Sequence, residues 1–321
     1  MKVIVWTRVG RMELLEAVAP LDGIAVAVAG SVADFLAALS TAEIVVTVGT
    51  ADVYTPEVAQ RVRESPTLKW IHLMSAGYEG VAQNGLPEHC LLTGPGAGVS
   101  SAVAEHALAL LWALARGLPV AVHQQLHQRW ERGFAAQTTT LAGKTLLVVG
   151  FGTVGRKIGA LGRAIGMHVI GVSRSGRAHE SAHEVHTVSS LKHLLPRADA
   201  IIVALPLTDS TSHLFDQQAF DCCRPGALFV NVGRGATVDS PALLRALAGG
   251  ALRAAALDVT MPEPPAPGDA LWNAERLLLT PHIGGAGDPD AIRAIAHEFA
   301  ANVGRFGRGE PLVNLILNRE F

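Results

Sequence analysis

Three cysteines in 321 residues are too few for a disulfide framework. Cys90 stands alone and Cys222 and Cys223 are adjacent, a spacing that suits no zinc site, so all three read as free thiols of a reducing cytosol. Charge is scarce as well. Only 17% of residues are Asp, Glu, Lys or Arg, the formal net charge is -2, and no long basic run occurs, so nucleic acid is not an expected partner. Long apolar runs are also missing. Met1-Lys2-Val3-Ile4-Val5-Trp6 is too short for a signal-peptide core and reads as a first strand. The most apolar helical stretch, about Ala102 to Ala115, contains Glu105 and His106 and is too short to span a bilayer. No membrane segment and a cytoplasmic location are expected.

Apolar residues make up 49% of the chain, which describes a packed globular protein, and the length suits two domains. Apolar runs alternate with helical patterns throughout, which predicts an α/β fold of two Rossmann-like domains whose parallel sheets are covered on both faces. Strands are expected near Val3–Trp6, Ile24–Val28, Ile44–Val48 and Trp70–Leu73, then at Thr145–Val149, His168–Val172, Ala200–Ala204, Ala227–Asn231, Arg253–Leu257 and Leu277–Leu279. Helices are expected at Val32–Leu39, at Pro56–Arg63 with Thr55 as its cap, from about Ser101 to Ala115, and from about Pro289 to Arg305. The glycine-rich Thr93-Gly94-Pro95-Gly96-Ala97-Gly98 reads as a crossing between domains. The expected boundaries are 1–98 with 288–321 for one domain and 99–287 for the other.

Gly150-Phe151-Gly152-Thr153-Val154-Gly155 follows the Thr145–Val149 strand and precedes a helical run, Val154–Ile165, the context in which GxGxxG binds a dinucleotide. Gly150 permits the tight turn, Gly152 lets the backbone approach a pyrophosphate, and Gly155 lets helix pack on strand. The helix N-terminus then offers unpaired N–H groups to the phosphates. An NAD enzyme usually carries Asp or Glu at the end of the next strand; here Ser173-Arg174-Ser175 stands there. Arginine pairs with a 2′-phosphate that a carboxylate would repel, so NADP(H) is expected over NAD(H). The alternative is a solvated arginine loop with loose NAD binding.

Downstream, Arg234, Glu263 and His282 each follow an apolar run. Reducing a 2-keto acid needs a grip on the carboxylate and a proton for the carbonyl oxygen. Arg234, between Gly233 and Gly235, suits the first task and His282 the second. Glu263, stiffened by Pro262, Pro264, Pro265 and Pro267, would orient the imidazole and favour its charged form. His179-Glu180-Ser181-Ala182-His183, with His186 close by, matches the zinc-protease pattern HExxH. It sits in a short loop after the cofactor strand rather than on a helix, so a solvated polar loop and no metal are expected.

Taken in order, Ser75-Ala76-Gly77-Tyr78, Val103-Ala104-Glu105-His106-Ala107-Leu108-Ala109-Leu110, the glycine turn, Leu205-Pro206-Leu207-Thr208 and the Arg, Glu and His segments resemble the D-isomer-specific 2-hydroxyacid dehydrogenases over nearly the whole chain. The resemblance implies a flavodoxin-like substrate domain, with the final helix returning to it, and an active site in the cleft between domains. It implies a substrate site of Ala76, Gly77, Tyr78, Arg234 and His282. Leu205, Pro206, Thr211, Val232, Gly233, Arg234, Asp258, His282 and Gly284 would join the glycine turn in binding the cofactor, with Asp258 facing it or closing a strand. Substrate choice would rest on side chains around Thr50, Met74 and Tyr78. The family commonly has an aromatic residue where Thr260 follows Asp258-Val259.

A glyoxylate or hydroxypyruvate reductase is the first expectation, and a dehydrogenase of a larger D-2-hydroxy acid the second. Formate dehydrogenases typically place Gln where Glu263 stands, and phosphoglycerate dehydrogenases often carry an added regulatory domain, for which the chain looks too short. The reading from another class is a dinucleotide-binding protein without turnover, similar to co-repressors built on this fold. Ala102 to Leu118 is apolar over more than one helical face and includes Trp112, which needs burial on several sides. In the family the equivalent helix helps form a two-fold dimer, so a homodimer is expected.

Overall fold

The structure is a computed structural model describing residues 1–285 and 289–316. In chain order it begins β1 Lys2–Val5, α1 Arg11–Val18, β2 Ala25–Val28, α2 Val32–Leu39, β3 Ile44–Thr47, α3 Pro56–Glu64, β4 Trp70–Leu73, α4 Glu79–Asn84 and β5 Leu91–Thr93. It continues α5 Ala97–Ala115, α6 Leu118–Leu126, β6 Thr145–Val149, α7 Thr153–Ala164, β7 His168–Ser173, β8 Glu184–Thr187, α8 Leu191–Leu194 and β9 Ala200–Val203. It closes α9 Gln217–Asp221, β10 Ala227–Asn231, α10 Ser240–Ala248, β11 Leu252–Leu257, β12 Leu277–Leu279 and α11 Pro289–Gly307. Two compact units result: Met1–Val99 with Gly287–Phe321, and Ser100–Ala286.

In the first unit the sheet runs β2-β1-β3-β4-β5 with every pair parallel. Its central strands are buried on both faces, which is why they read as unbroken apolar runs rather than alternating ones. Helix α2 starts at a capping box in which Ser31 and Asp34 satisfy each other's backbone N–H groups, and α3 starts at Thr55 with Pro56 in its first turn. Ile295, Phe299 and Val303 of α11 pack with Val3, Val5 and Trp70, and the Trp70 and Phe299 rings lie 5.3 Å apart.

The second sheet is also all parallel, in the order β12-β11-β10-β9-β6-β7-β8. One face is covered by a core containing Phe215, Phe220 and Phe229 with Ala242 and Leu243 of α10, the other by Leu108 and Leu111 of α5 with Phe151 and Ile158. Strand order reverses at β6, which has β7 on one side and β9 on the other. In open parallel sheets such a reversal leaves a crevice at the carboxyl ends of the strands, where ligands bind.

The structure adds strands β5 and β8, which are too short or too polar to announce themselves as apolar runs. Helix α5 begins at Ala97, several residues before the expected start, with Gly96 in the left-handed conformation just ahead of it. Residues 179–183 form no helix: the His183 ring accepts the Val169 N–H at 3.0 Å and stacks on His168. Among the described residues no His, Cys, Asp and Glu cluster is placed to hold a metal. The neighbouring Glu184 takes Arg197 on both oxygens, at 2.5 and 3.1 Å, together with His186 at 3.0 Å and His168 at 3.1 Å. Those bonds, Arg197 foremost, hold its carboxyl at about 2. Among the described residues no single helix is long and apolar enough to cross a membrane; α5 and α6 reach that length and hydropathy only as a pair, bent by 68°.

His72 on β4 is fully buried beside Trp70 and Phe299. Its Nδ1 meets the Thr93 hydroxyl at 2.8 Å, and its Nε2 is buried with no hydrogen-bond partner among the described residues. Burial pulls its pKa from 6.5 down to about 3. The unfolded chain therefore takes up a proton below pH 6.5 that the folded chain refuses until about pH 3. Stability should be intact above that window and fall through it, by on the order of 1 kcal/mol per pH unit at most. Urea midpoints measured between pH 7 and pH 4 should drop less in His72→Gln than in the parent; identical slopes would show that His72 does not carry this dependence.

Candidate active site

At the carboxyl end of β6 the chain turns sharply at Gly150, whose φ is 104°, a conformation that a side chain rarely adopts. A Cβ on Gly150 would lie 2.5 Å from the Ala204 carbonyl oxygen, and one on Gly155 would collide with the carbonyl of Gly150. Gly152 differs: it precedes the first residue of α7, and nothing among the described residues lies within 4 Å of where its Cβ would be. Open space thus faces the first N–H groups of a twelve-residue helix, where an anionic group can settle against the backbone. Phe151 is buried, while Thr153 and Val154 open the helix. The residues present fit a dinucleotide pyrophosphate.

Beyond β7, Ser173 accepts the Gly176 N–H at 3.1 Å and closes a tight turn that leaves Arg174 and Ser175 exposed, with no carboxylate at the strand end. After β9, Leu205 and Pro206 are followed by a turn locked by Thr211, whose hydroxyl donates to the Pro206 carbonyl at 2.8 Å and accepts the Thr208 N–H at 2.8 Å. Gly233 presses on this segment: its Cβ would lie 2.6 Å from the Leu205 carbonyl oxygen.

Arg234 follows Val232 and Gly233 at the end of β10. Its backbone is held by Asn231, a fully buried residue in an otherwise apolar strand. The Asn231 carboxamide accepts the Gly233 N–H at 3.0 Å and donates to the Arg234 carbonyl at 3.0 Å; the Thr237 hydroxyl donates to the same carbonyl at 2.7 Å. The half-buried Arg234 side chain donates to the Gly233 carbonyl at 2.6 Å. On its other side, Gly235 sits so close to Thr260 that any Cβ would strike the Thr260 carbonyl. The Arg234 turn is therefore seated against the loop that carries Glu263.

In that loop Glu263 accepts the Thr260 N–H at 3.2 Å on one carboxylate oxygen, and the other lies 2.6 Å from Nδ1 of His282. The Thr260 hydroxyl donates to the Pro262 carbonyl at 2.9 Å. His282 has a left-handed backbone, φ 51°, uncommon for a residue with a side chain. Its N–H donates to the Asp258 carbonyl at 2.9 Å. The Asp258 carboxylate, 3% exposed, accepts the Thr280 hydroxyl at 2.6 Å, the Ile283 N–H at 3.0 Å and the Gly284 N–H at 2.8 Å, and meets His106 Nε2 at 3.2 Å. Asp258 thus braces the turn from which His282 projects.

Ala76, Gly77 and Tyr78 lie in the first unit, in the turn after β4. Ser75 shapes that turn by accepting the Gly49 N–H at 3.0 Å and donating to the Gly77 carbonyl at 2.7 Å. Ala76 is exposed and Gly77 buried. Met74, just before this turn, is 3% exposed and packs in the core with Leu14 and Ile295.

The sequence reading assigned no role to Asn231, Thr260, Thr280 or His106. For Asn231 a signal was present, since a carboxamide closing a strand of Leu, Phe and Val needs partners. For the others the partners are brought close only by the fold.

The description "D-isomer specific 2-hydroxyacid dehydrogenase, NAD binding domain" matches residues 108–284. A glyoxylate reductase of Aeropyrum pernix is 32% identical over 267 residues, covering 80% of this chain and 78% of that protein. Among solved structures, a D-isomer specific 2-hydroxyacid dehydrogenase family protein from Aeromonas salmonicida superposes with a TM-score of 0.83 at 31% identity, over 98% of each chain. An NADPH-dependent glyoxylate/hydroxypyruvate reductase from Sinorhizobium meliloti, solved with NADP and sulfate, gives a TM-score of 0.83 at 25% identity, again over 98% of each.

Proposed function

The chain belongs to the D-isomer specific 2-hydroxyacid dehydrogenase family of NAD(P)-dependent oxidoreductases, and we propose that it reduces a small 2-keto acid, glyoxylate or hydroxypyruvate, with NADPH. The observation that carries this reading is the His282–Glu263 contact of 2.6 Å, on a loop packed against the Arg234 turn.

The geometry of the ring favours the role given to it. With Nδ1 engaged by Glu263, Nε2 is the nitrogen that faces a substrate oxygen. Arg234 takes the substrate carboxylate and polarises the neighbouring carbonyl, a task suited to a planar guanidinium. A nicotinamide dinucleotide held by Gly150, Gly152, Gly155 and the start of α7 supplies the hydride when bound. His282 gives its proton to the carbonyl oxygen as negative charge develops there, and Glu263 stabilises the imidazolium until that moment. In the oxidative direction neutral His282 takes the proton back.

Two observations support NADP(H) over NAD(H): Arg174 is exposed at the end of β7, and no carboxylate closes that strand. The Sinorhizobium reductase, named as NADPH-dependent, supports both cofactor and substrate class. A matrix of glyoxylate, hydroxypyruvate, pyruvate, phenylpyruvate and longer 2-keto acids against NADPH and NADH tests the assignment. The highest kcat/KM should fall on glyoxylate or hydroxypyruvate with NADPH, and Arg174→Asp should shift the balance toward NADH. Equal or better efficiency with NADH in the parent would sink the cofactor preference.

The acid–base pair has its own test. Glu263→Gln weakens the charge-assisted contact that orients the His282 ring, so kcat for ketone reduction should fall while KM for the keto acid changes little. His282→Ala should cost on the order of two or more decades in kcat. Arg234→Ala should raise KM for the keto acid as well as lower kcat, because it holds ground state and transition state alike. An unchanged kcat in Glu263→Gln would remove Glu263 from the mechanism.

A homodimer is part of the same proposal. Most of the apolar surface of α5 is already buried within its own unit, including Leu108, Leu111 and Leu114. The apolar surface that lacks cover lies just beyond: Leu118, Val122 and Leu126 of α6, then Trp130, which is 95% exposed, with Trp112 nearby in sequence. Large apolar side chains left exposed at four-residue spacing along one helix suit an association surface, and a second copy of the chain is the occupant that a two-fold assembly supplies. Light scattering at micromolar concentration should give twice the chain mass, and Leu126→Glu with Trp130→Glu should return it to one; a monomeric parent would refute the assembly.

A further inference from the structure

His106, on α5, has no part in the chemistry above, yet it touches the machinery that presents His282. Its Nε2 lies 3.2 Å from the Asp258 carboxylate and 3.2 Å from the Thr280 hydroxyl, with the side chain 19% exposed. We propose that His106 is a positioning residue for His282, forming with Asp258 a second acid–histidine pair behind the turn; the proposal rests on His282 being the proton donor.

Three features of the molecule point this way. Among the described residues, Asp258 holds the turn from Thr280 to Gly284 at four points: its side chain takes Thr280, Ile283 and Gly284, and its carbonyl takes the His282 N–H. The left-handed backbone of His282 persists only where its surroundings over-determine it. The Asp258 carboxylate is 3% exposed, so its oxygens depend on partners within the protein, and the His106 ring lies 3.2 Å from one of them. The other residues in contact with it there, Thr280, Ile283 and Gly284, offer neutral donors. Glu105, the neighbouring acid on α5, is exposed.

The helix itself is the reason that this residue can act as a brace. Helix α5 has nineteen residues, and Ala104, Ala107, Leu108 and Leu111 around His106 are fixed in the core. A side chain on such a platform transmits its position to whatever it holds. Gly284 keeps the space open: a Cβ there would lie 2.8 Å from an Asp258 carboxylate oxygen and 3.2 Å from the His106 ring. Without His106, Oδ1 of Asp258 keeps Thr280 and Ile283 but loses its third partner, and the turn is held less tightly. Misplacement of a reacting group by a fraction of its diameter costs rate, not binding.

The experiment compares His106→Leu with His106→Gln, whose amide retains an N–H for Asp258. His106→Leu should lower kcat about tenfold or more while KM for the keto acid and for NADPH stays within about threefold, and His106→Gln should recover most of the loss. A second readout does not depend on turnover: the rate at which diethyl pyrocarbonate modifies His282, followed by peptide mass spectrometry, should change in His106→Leu and return toward the parent rate in His106→Gln. If His106→Leu does not fold, Thr280→Val, which removes the hydroxyl between the pair, takes its place in both measurements. Unchanged kcat with unchanged His282 modification overturns the proposal, as does an equal loss in the Leu and Gln variants that tracks their melting temperatures. Turnover that survives His282→Ala overturns the acid–base reading itself; turnover lost in His282→Ala but intact in His106→Leu overturns only the positioning role.

Discussion

Parallel strands impose one constraint on which the candidate site depends: each loop at the carboxyl edge of the sheet starts from the same side. In the second unit the glycine turn leaves β6, Arg174 follows β7, Leu205 follows β9, Arg234 follows β10, Asp258 follows β11 and His282 follows β12. No long-range search is needed to gather these residues. Once the strands pair in register, segments as far apart in sequence as Gly150 and His282 arrive on one rim, as the parallel ladders from β6 to β12 require.

What brings neighbouring loops into contact along that rim is the absence of side chains. Gly150 rests on the Ala204 carbonyl, Gly233 on Leu205 and Gly235 on Thr260, so successive loops touch backbone to backbone. Two buried polar residues then hold the outer loops in place, Asn231 under the Arg234 turn and Asp258 under the His282 turn. Each is wholly or almost wholly shielded from water, where a hydrogen bond left unmade costs more than one made contributes. The side chains proposed to act on substrate are thus carried by backbone whose conformation is set by other, buried residues.

Much of this was legible in the residues before any coordinates. Strands such as Trp70–Leu73, Thr145–Val149 and Ala227–Asn231 are apolar runs bounded by breakers, and burial on both faces leaves them no alternative conformation. The Glu263–His282 contact was legible because a stiff proline-bounded acid and a strand-end histidine suit one chemistry. Other features could not be read in that way. Strand β8, Glu-Val-His-Thr, owes its conformation to pairing with β7 rather than to its own composition. The burial of Met74 with Leu14 and Ile295 depends on packing between distant segments, which its own neighbourhood in sequence does not announce. His106 and Thr280 are separated by 174 positions, and nothing local at either one announces the other.

The polar character of β8 has a further effect, on how the chain meets copies of itself. β8 is the last strand of its sheet, and its outer backbone groups are a template on which a foreign strand could dock. Glu184 stands on that strand with Arg197, His168 and His186 gathered around its carboxylate. A strand from another molecule would have to strip water from this ionic group before making its first ladder bond, a penalty that apolar edge residues would not impose. Sheet extension from this edge is therefore opposed by charge, unlike extension from the opposite edge, where β12 is three leucines.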